Sequence, residues 1–528
     1  MRDGSERNPM GIWKTVTSGA GPDTKKLSVP GGWLTLVFVA GVVVGGPVFI
    51  ADQTHSWTDG DTLTDAGAAP VADAGTPTPV VPNATKQTQI GQNLSSLVDY
   101  STDRPFVNEL LQARAWISGT SSIWDDGRTI AVDGRGYPTG LLAGQIGRLV
   151  VFTAARPAGD YVFTYAGSAP SLRVDGASVA SSVPGKMVLT VPASGNLVIN
   201  LLGGTITSAS LVKADQSSSG VLFNPAWITD LKKYKVLRFM DWQRTNFSRT
   251  QTELNHDFDP LSALPISLSA GAPFEVMIEA ANLADADLWV CMPVNSDAAY
   301  WTRALSLIKT KLKPGLRVWV ESGNEIFNSQ FAVNNVLGTD FNAKMYAHAL
   351  RTGDLAAVVE STLGARGVTV LGAWQSVPWW TEESLKKIKD SGKTMPKAVA
   401  IGHYFGHSLS DDVTLFTSGA MLAEVNKAIA LSKEHKVIAD KYQVKLVAYE
   451  GSSHITDNGG RRVNADPRMT DMVTALLTAW ASTTDGVFVN FSYVGSWGPY
   501  GSWGQRETFW GPNTPKGMAV EAFVASQK

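Results

Sequence analysis

The feature that most constrains this chain is an alternation, sustained over most of its length, of short apolar β-prone runs with longer stretches of helical periodicity. That pattern belongs to parallel strands joined by crossover helices. Eight strand-like runs are legible, at 90–94, 236–240, 287–292, 316–321, 368–372, 398–402, 445–450 and 486–491. Helical stretches are expected at 106–115, 273–283, 297–311, 341–363, 382–390, 421–442 and 468–482. Eight such units close into a (β/α)8 TIM barrel of the α/β class. Alternation alone also allows an open, doubly wound sheet.

The alternation is interrupted once. Between 118 and 215 the chain changes to short β-prone runs (149–153, 161–165, 187–191, 197–202) punctuated by Gly, Pro, Ser and Asp, the rhythm of an all-β sandwich. The sandwich is expected as an insertion in the first β/α unit, with 225–232 leading back to the second strand, so that the barrel comprises 90–117 and 216–528. Ahead of it, 53–89 is rich in Ala, Pro, Thr, Asp and Gly without apolar periodicity and reads as a flexible linker. Residues 31–52 read as a transmembrane anchor, whose apolar heart, 33–50, is just long enough to span a bilayer as a helix. Arg2, Arg7, Lys14, Lys25 and Lys26 precede it, which keeps 1–30 in the cytoplasm and exports the rest to the bacterial periplasm or cell surface. A cleaved signal peptide, which would leave the protein secreted, is the alternative; Val48-Phe49-Ile50-Ala51 offers no good pair of small residues for it.

Charge and composition remove several function classes. Lys plus Arg, 45, nearly balance Asp plus Glu, 47, so no strong field favours nucleic acid. The single cysteine, Cys291, excludes an intrachain disulfide, and seven scattered histidines show no metal-ligand spacing, so no metal is expected. Gly134-Arg135-Gly136 does not stand between a strand and a helix as a phosphate loop must, and no cofactor is expected. The 17 tryptophans suit either a large core or the stacking of sugar rings.

In a β/α barrel the reactive groups stand at the carboxyl ends of the strands. The fourth expected strand runs into Glu321-Ser322-Gly323-Asn324-Glu325-Ile326-Phe327-Asn328, and the seventh ends Val447-Ala448-Tyr449-Glu450-Gly451. Each places a glutamate at the rim, and retaining glycoside cleavage needs two carboxyls about 5–5.5 Å apart. Asn324-Glu325 after strand four with Glu450 ending strand seven resembles the arrangement of glycoside hydrolase clan A, which includes the family 5 cellulases. The resemblance covers roughly 90–525 outside the β-sandwich. It implies Glu325 as acid/base, Glu450 as nucleophile and Asn324 as a partner of the substrate's 2-hydroxyl. Ile326 stands where many family 5 enzymes have proline, which points to the clan rather than that family.

Other rim residues fit the resemblance. Arg238 on strand two, and His403 and Tyr404 after strand six, are expected to hydrogen-bond the nucleophile and keep it ionised. The resemblance implies Trp497 as the floor of the central sugar subsite, with Trp503 and Trp510 as alternatives. Trp242, Trp374, Trp379 and Trp380 follow strands two and five and serve either the rim or loop packing. Asn295 is expected to bind substrate or to cap the following helix, and Asp241 to bind substrate or to pair with Arg238. Glu321 competes with Glu325 as the acid but belongs to the strand itself. The expected function is therefore retaining, endo-acting hydrolysis of a β-linked polysaccharide, with polysaccharide, membrane and polysaccharide synthesis or secretion machinery as partners. A catalytically silent carbohydrate-binding scaffold and a transglycosylase are the alternatives.

Overall fold

A computed structural model describes residues 26–29, 32–35, 88–216 and 220–527. Of the expected membrane helix at 31–52, only 32–35 are described, as the strand Gly32–Thr35 paired antiparallel with Lys26–Val29. The helix is therefore not seen at those four positions. The rest of that expectation, the cytoplasmic tail and nearly all of the 53–89 linker lie outside the described residues. Among the described residues no helix is long and apolar enough to cross a membrane.

The eight parallel strands are β1 (Ile90–Asn93), β2 (Val236–Arg238), β3 (Asp287–Met292), β4 (Val318–Ser322), β5 (Gly367–Ala373), β6 (Ala398–Phe405), β7 (Lys445–Ser453) and β8 (Phe488–Asn490). They form a closed barrel in chain order, β8 pairing with β1 through Ile90 and Phe488. Closure, rather than a doubly wound sheet, is what these strands adopt.

Side-chain alternation sorts each strand into two faces. Val236, Trp289, Cys291, Trp319, Val370, Ala400, Val447 and Val489 meet inside the barrel. Their neighbours Leu237, Leu288, Val290, Val320, Val399, Leu446 and Phe488 pack outward under the helices. Phe274–Ala284, Ala298–Lys311, Phe341–Leu363, Pro378–Asp390, Ala420–Lys441 and Met469–Thr483 cover that outer face, close to the helices expected from periodicity. Their starts follow local chemistry, as where Asp297 accepts from Tyr300 N and Asp340 from Ala343 N. Each fully buried Leu, Val or Ile in this layer contributes ~1.5–3 kcal/mol.

The expected helix at 106–115 is not formed. Phe106 bridges Phe223 and Asn108 bridges Val212, so the backbone there is committed to β-pairing and only Glu109–Gln112 makes a single 3-10 turn. From here the chain enters two four-stranded antiparallel sheets. One orders Ser178–Val183, Lys186–Val191, Gly159–Ala166 and Ser208–Lys213; the other orders Ile117–Gly119, Ile146–Phe152, Leu197–Gly203 and Ser171–Asp175. Leu149, Val151, Leu197 and Ile199 of one sheet share an apolar cluster with Tyr161, Phe163, Leu189 and Leu211 of the other. Pro225–Leu231, with Asn224 as its cap, then returns the chain to β2.

Candidate active site

The carboxyl ends of β1, β2, β4, β6 and β7 bring together a connected polar layer. Its hub is Arg238, which faces inward because it shares the parity of Val236 and is fully buried. One guanidinium serves four acceptors. Nε and Nη2 donate to Glu321 Oε2 at 3.1 and 2.8 Å, Nη1 to Asn93 Oδ1 at 3.0 Å and Glu450 Oε1 at 2.8 Å, and Nη2 to Asn324 Oδ1 at 2.8 Å. A planar fork is what such convergence requires, since a lysine ammonium is a single point charge.

Glu450 Oε1 accepts from Arg238, and its Oε2 accepts from Tyr404 Oη at 2.8 Å. Burial raises its carboxyl to about 8, the charge of Glu325 adding to that and Arg238 and Tyr404 opposing it. Glu325 is less enclosed and has only neutral donors, Tyr449 Oη to Oε1 at 2.7 Å and Asn328 Nδ2 to Oε2 at 2.9 Å.

Glu321 is not at the open face. It is buried on the inner face of β4, and its Oε2 accepts from Arg238, from Trp289 Nε1 at 3.0 Å and from Cys291 Sγ at 3.4 Å. That makes it the counter-ion that holds the arginine in the barrel.

Asn324 joins the layer, though with both ends of its amide engaged, since Nδ2 donates to Asn246 Oδ1 at 2.9 Å. Asp241 is half-buried near Arg238, with its carboxyl raised to about 6 by burial against the pull of Arg238 and Ser96.

Three expected site residues take no part in this hydrogen-bonded layer. His403 shares the parity of Val399 and Ile401, so it points outward, packed 4.9 Å from Trp480 and 6.0 Å from Phe488, with neither ring nitrogen hydrogen-bonded. Burial, aided by the charge of His435, lowers it to about 3, and it reaches no carboxylate of the pair. Trp497 is buried, its Nε1 donating to Gly504 O and Arg461 and Lys516 lying 5.6 and 5.5 Å from its ring centroid, so little of the ring is open to a sugar. Asn295 is exposed and donates to the Arg249 carbonyl; the cap of the next helix is Asp297.

The aromatic side chains near the pair are different ones. Phe491 lies 6.4 Å from the Tyr404 ring, and the half-buried Trp503 lies 6.2 Å from Phe491. On the Glu325 side, Trp374 stacks on Phe327 at 5.3 Å and an interplanar angle of 6°. Trp242 and Trp380 are buried packing residues, Trp242 stacked on Trp227 and Trp380 edge-on to Trp379, and Trp379 and Trp510 are exposed.

Four residues of the layer go beyond those expected. Asn93 bridges Arg238 to the Tyr449 and Asn490 carbonyls, and its signal was its inward parity next to Gly91. Gln375 clamps Tyr404 by its backbone, Nε2 to the carbonyl and Oε1 from the amide, both at 3.0 Å. Tyr449 shares the inward parity of Val447, whereas Asn246 carries no signal in its local sequence because it stands on a loop.

A closed barrel of eight parallel strands with a two-glutamate layer at the carboxyl ends is thus the class this chain defines. No family model and no curated protein matches it in sequence. Among solved structures it is similar to a GH51 arabinofuranosidase from Xanthomonas axonopodis pv. citri (12% identity, 58% of this chain and 66% of that one, TM-score 0.40). It is also similar to a modular endo-β-1,4-mannanase from Cellulomonas fimi (10% identity, 56% and 65%, TM-score 0.35). A third is the CBM22-1–GH10 part of a Clostridium thermocellum endo-1,4-β-D-xylanase 10B complexed with xylohexaose (10% identity, 81% and 98%, TM-score 0.35). The chain spans slightly under two thirds of the length of the first two.

Proposed function

We propose that this chain is a retaining glycoside hydrolase that cleaves β-linked polysaccharide, with Glu450 as nucleophile and Glu325 as acid/base. The observation that carries the proposal is the unlike setting of two glutamates at the ends of β4 and β7. Glu450 is buried on a guanidinium and a phenol, whereas Glu325 is more open and has neutral donors only.

In the first step Glu325 gives its proton to the glycosidic oxygen as the C1–O bond breaks, and a Glu450 carboxylate oxygen forms an ester bond to C1. In the second step a water gives its proton to Glu325 and attacks C1, and the ester electrons return to Glu450. Arg238 and Tyr404 hold Glu450 in place through both steps. Phe491 and Trp503 supply apolar surface for a pyranose face, the part first expected of Trp497.

The reading includes a setting. Residues 31–52 anchor the chain, 53–89 tether it and the catalytic part lies outside the cytoplasm, where exopolysaccharide and the machinery that makes or secretes it are the expected partners. The two antiparallel sheets form an inserted β-sandwich over 118–215, and the action is endo.

The test is reducing-end release from a panel of β-glucans, mannans, xylans and bacterial exopolysaccharides, with Glu450→Gln as control and proton NMR of the first-formed anomer. Release that Glu450→Gln abolishes, with retained configuration, is the expected result. An inverted anomer removes Glu450 as nucleophile. Silence on every polymer favours a carbohydrate-binding scaffold, and transfer to an added sugar instead of water identifies a transglycosylase.

A further inference from the structure

Away from the glutamate pair, the loop after β1 meets the end of strand Ile146–Phe152 around a cavity of about 10 Å³, room for one water-sized body. Two arginines line it, and both are buried: Arg104 is 7% exposed and Arg156 2%. Both guanidiniums face the Phe152 ring, their central carbons 5.5 and 4.5 Å from its centroid.

Arg156 has no counter-charge of its own among the described residues. Arg104 is ion-paired with Glu109, which also lines the cavity. The other lining carboxylate, Asp99, is taken up by Arg114 in a two-pronged pair at 3.1 and 2.9 Å and by Thr153 Oγ1 at 2.9 Å. Asp103 is not in the wall; its Oδ1 accepts from Trp227 Nε1 and from Arg104 N, both at 2.9 Å, its buried Oδ2 has no hydrogen-bond partner among the described residues, and its charge acts on Arg104. Arg156 is left with a hydrogen bond to the Gly195 carbonyl and no ion pair among the described residues. Nε and Nη1 of Arg104 and Nε and Nη1 of Arg156 have no hydrogen-bond partner among the described residues.

Buried donors are nearly always satisfied, and a buried charge without a counter-charge is costlier still. A water in the cavity accepts hydrogen bonds but leaves Arg156 without an ion-pair partner. A monatomic anion offers acceptor capacity and charge in the volume available, whereas a tetrahedral oxyanion is too large. We propose that Arg104 and Arg156 form a buried site for one halide-sized anion, chloride under ordinary conditions, which joins the loop after β1 to the antiparallel sheets.

The test is thermal unfolding of the full chain as chloride replaces gluconate at constant ionic strength, with Arg156→Met as comparison. Binding to the folded state alone raises the midpoint by about 2–5 °C as chloride goes from nil to about 200 mM, and the rise saturates. Arg156→Met is expected to lack that rise. A crystal of the unsubstituted chain grown in bromide is expected to show an anomalous peak between the two guanidiniums. Equal midpoints in the two salts, a rise that persists in Arg156→Met, or no bromide peak there overturns the proposal. The bromide result decides alone if Arg156→Met does not fold.

Discussion

Tyr449 and Glu450 are adjacent in the chain, yet both point into the barrel mouth. Opposite β7, Ile401 pairs with Ala448 and Gly402 with Glu450, so Tyr449 is an extra residue that β6 does not match. The bulge resets the alternation that would otherwise turn Glu450 toward the helices. One strand thereby supplies the carboxylate held by Arg238 and Tyr404 and also the phenol that donates to Glu325.

Gly402 makes room for this bulge. A β-carbon there would lie 3.0 Å from Tyr449 Oη and 3.3 Å from the Tyr404 ring. Gly402→Ala is therefore expected to displace both phenols, lowering kcat/KM about 10–100-fold while circular dichroism stays unchanged. Unaltered kcat/KM on the panel's best polymer would remove the phenols from the reaction.

Arg238→Lys keeps the charge but not the fork. It removes the paired donors from Glu321, which is buried with no other cation in hydrogen-bonding reach among the described residues, and loosens Asn93, Asn324 and Glu450 together. The expected cost is about 3–5 kcal/mol of stability, read from urea unfolding, with a large loss of kcat. A midpoint equal to that of the unsubstituted chain would show that the hub is dispensable.

The pH dependence follows from Glu450. It must be ionised to attack C1, and burial has pushed its carboxyl up to about 8, so activity is expected to rise as pH climbs toward about 8. A carboxyl raised in the folded state binds a proton that the unfolded chain has already released at pH above ~4.3, so the folded state loses stability as pH climbs toward about 8. Glu450→Gln removes that loss, and Arg238 keeps Glu321, Asn93 and Asn324. The variant should unfold about 2–5 °C higher than the unsubstituted chain at pH 8.5, with the gap closing toward pH 5. A gap that widens toward pH 5 contradicts the sign.

Trp503 and Trp497 should behave differently. Trp503→Ala takes away half-buried aromatic surface beside Phe491, so KM is expected to rise about tenfold, with the unfolding midpoint little changed. Trp497→Ala empties a buried site between Arg461 and Lys516 and should cost about 3–5 kcal/mol of stability instead. The reverse pattern in the two variants would return Trp497 to the subsite.

Much of this was legible in sequence because strand periodicity and helix capping are local. The eight strand runs, six outer helices and the ends of β4 and β7 follow from spacing alone, and so does the parity that sends Tyr404 inward and His403 outward. Helix 106–115 failed because Phe106 and Asn108 pair with residues more than a hundred positions away, a commitment that local propensity does not record. The sequence by itself determined which segments become strands and which glutamates end them. Only the tertiary structure decided that Arg238 joins Asn93, Glu321 and Glu450, that Tyr449 is the unmatched residue of β7 and that Trp503 rather than Trp497 stands beside Phe491. The physical reason is barrel closure: a strand's own backbone fixes which way a side chain points, but the register of its neighbours fixes what that side chain meets.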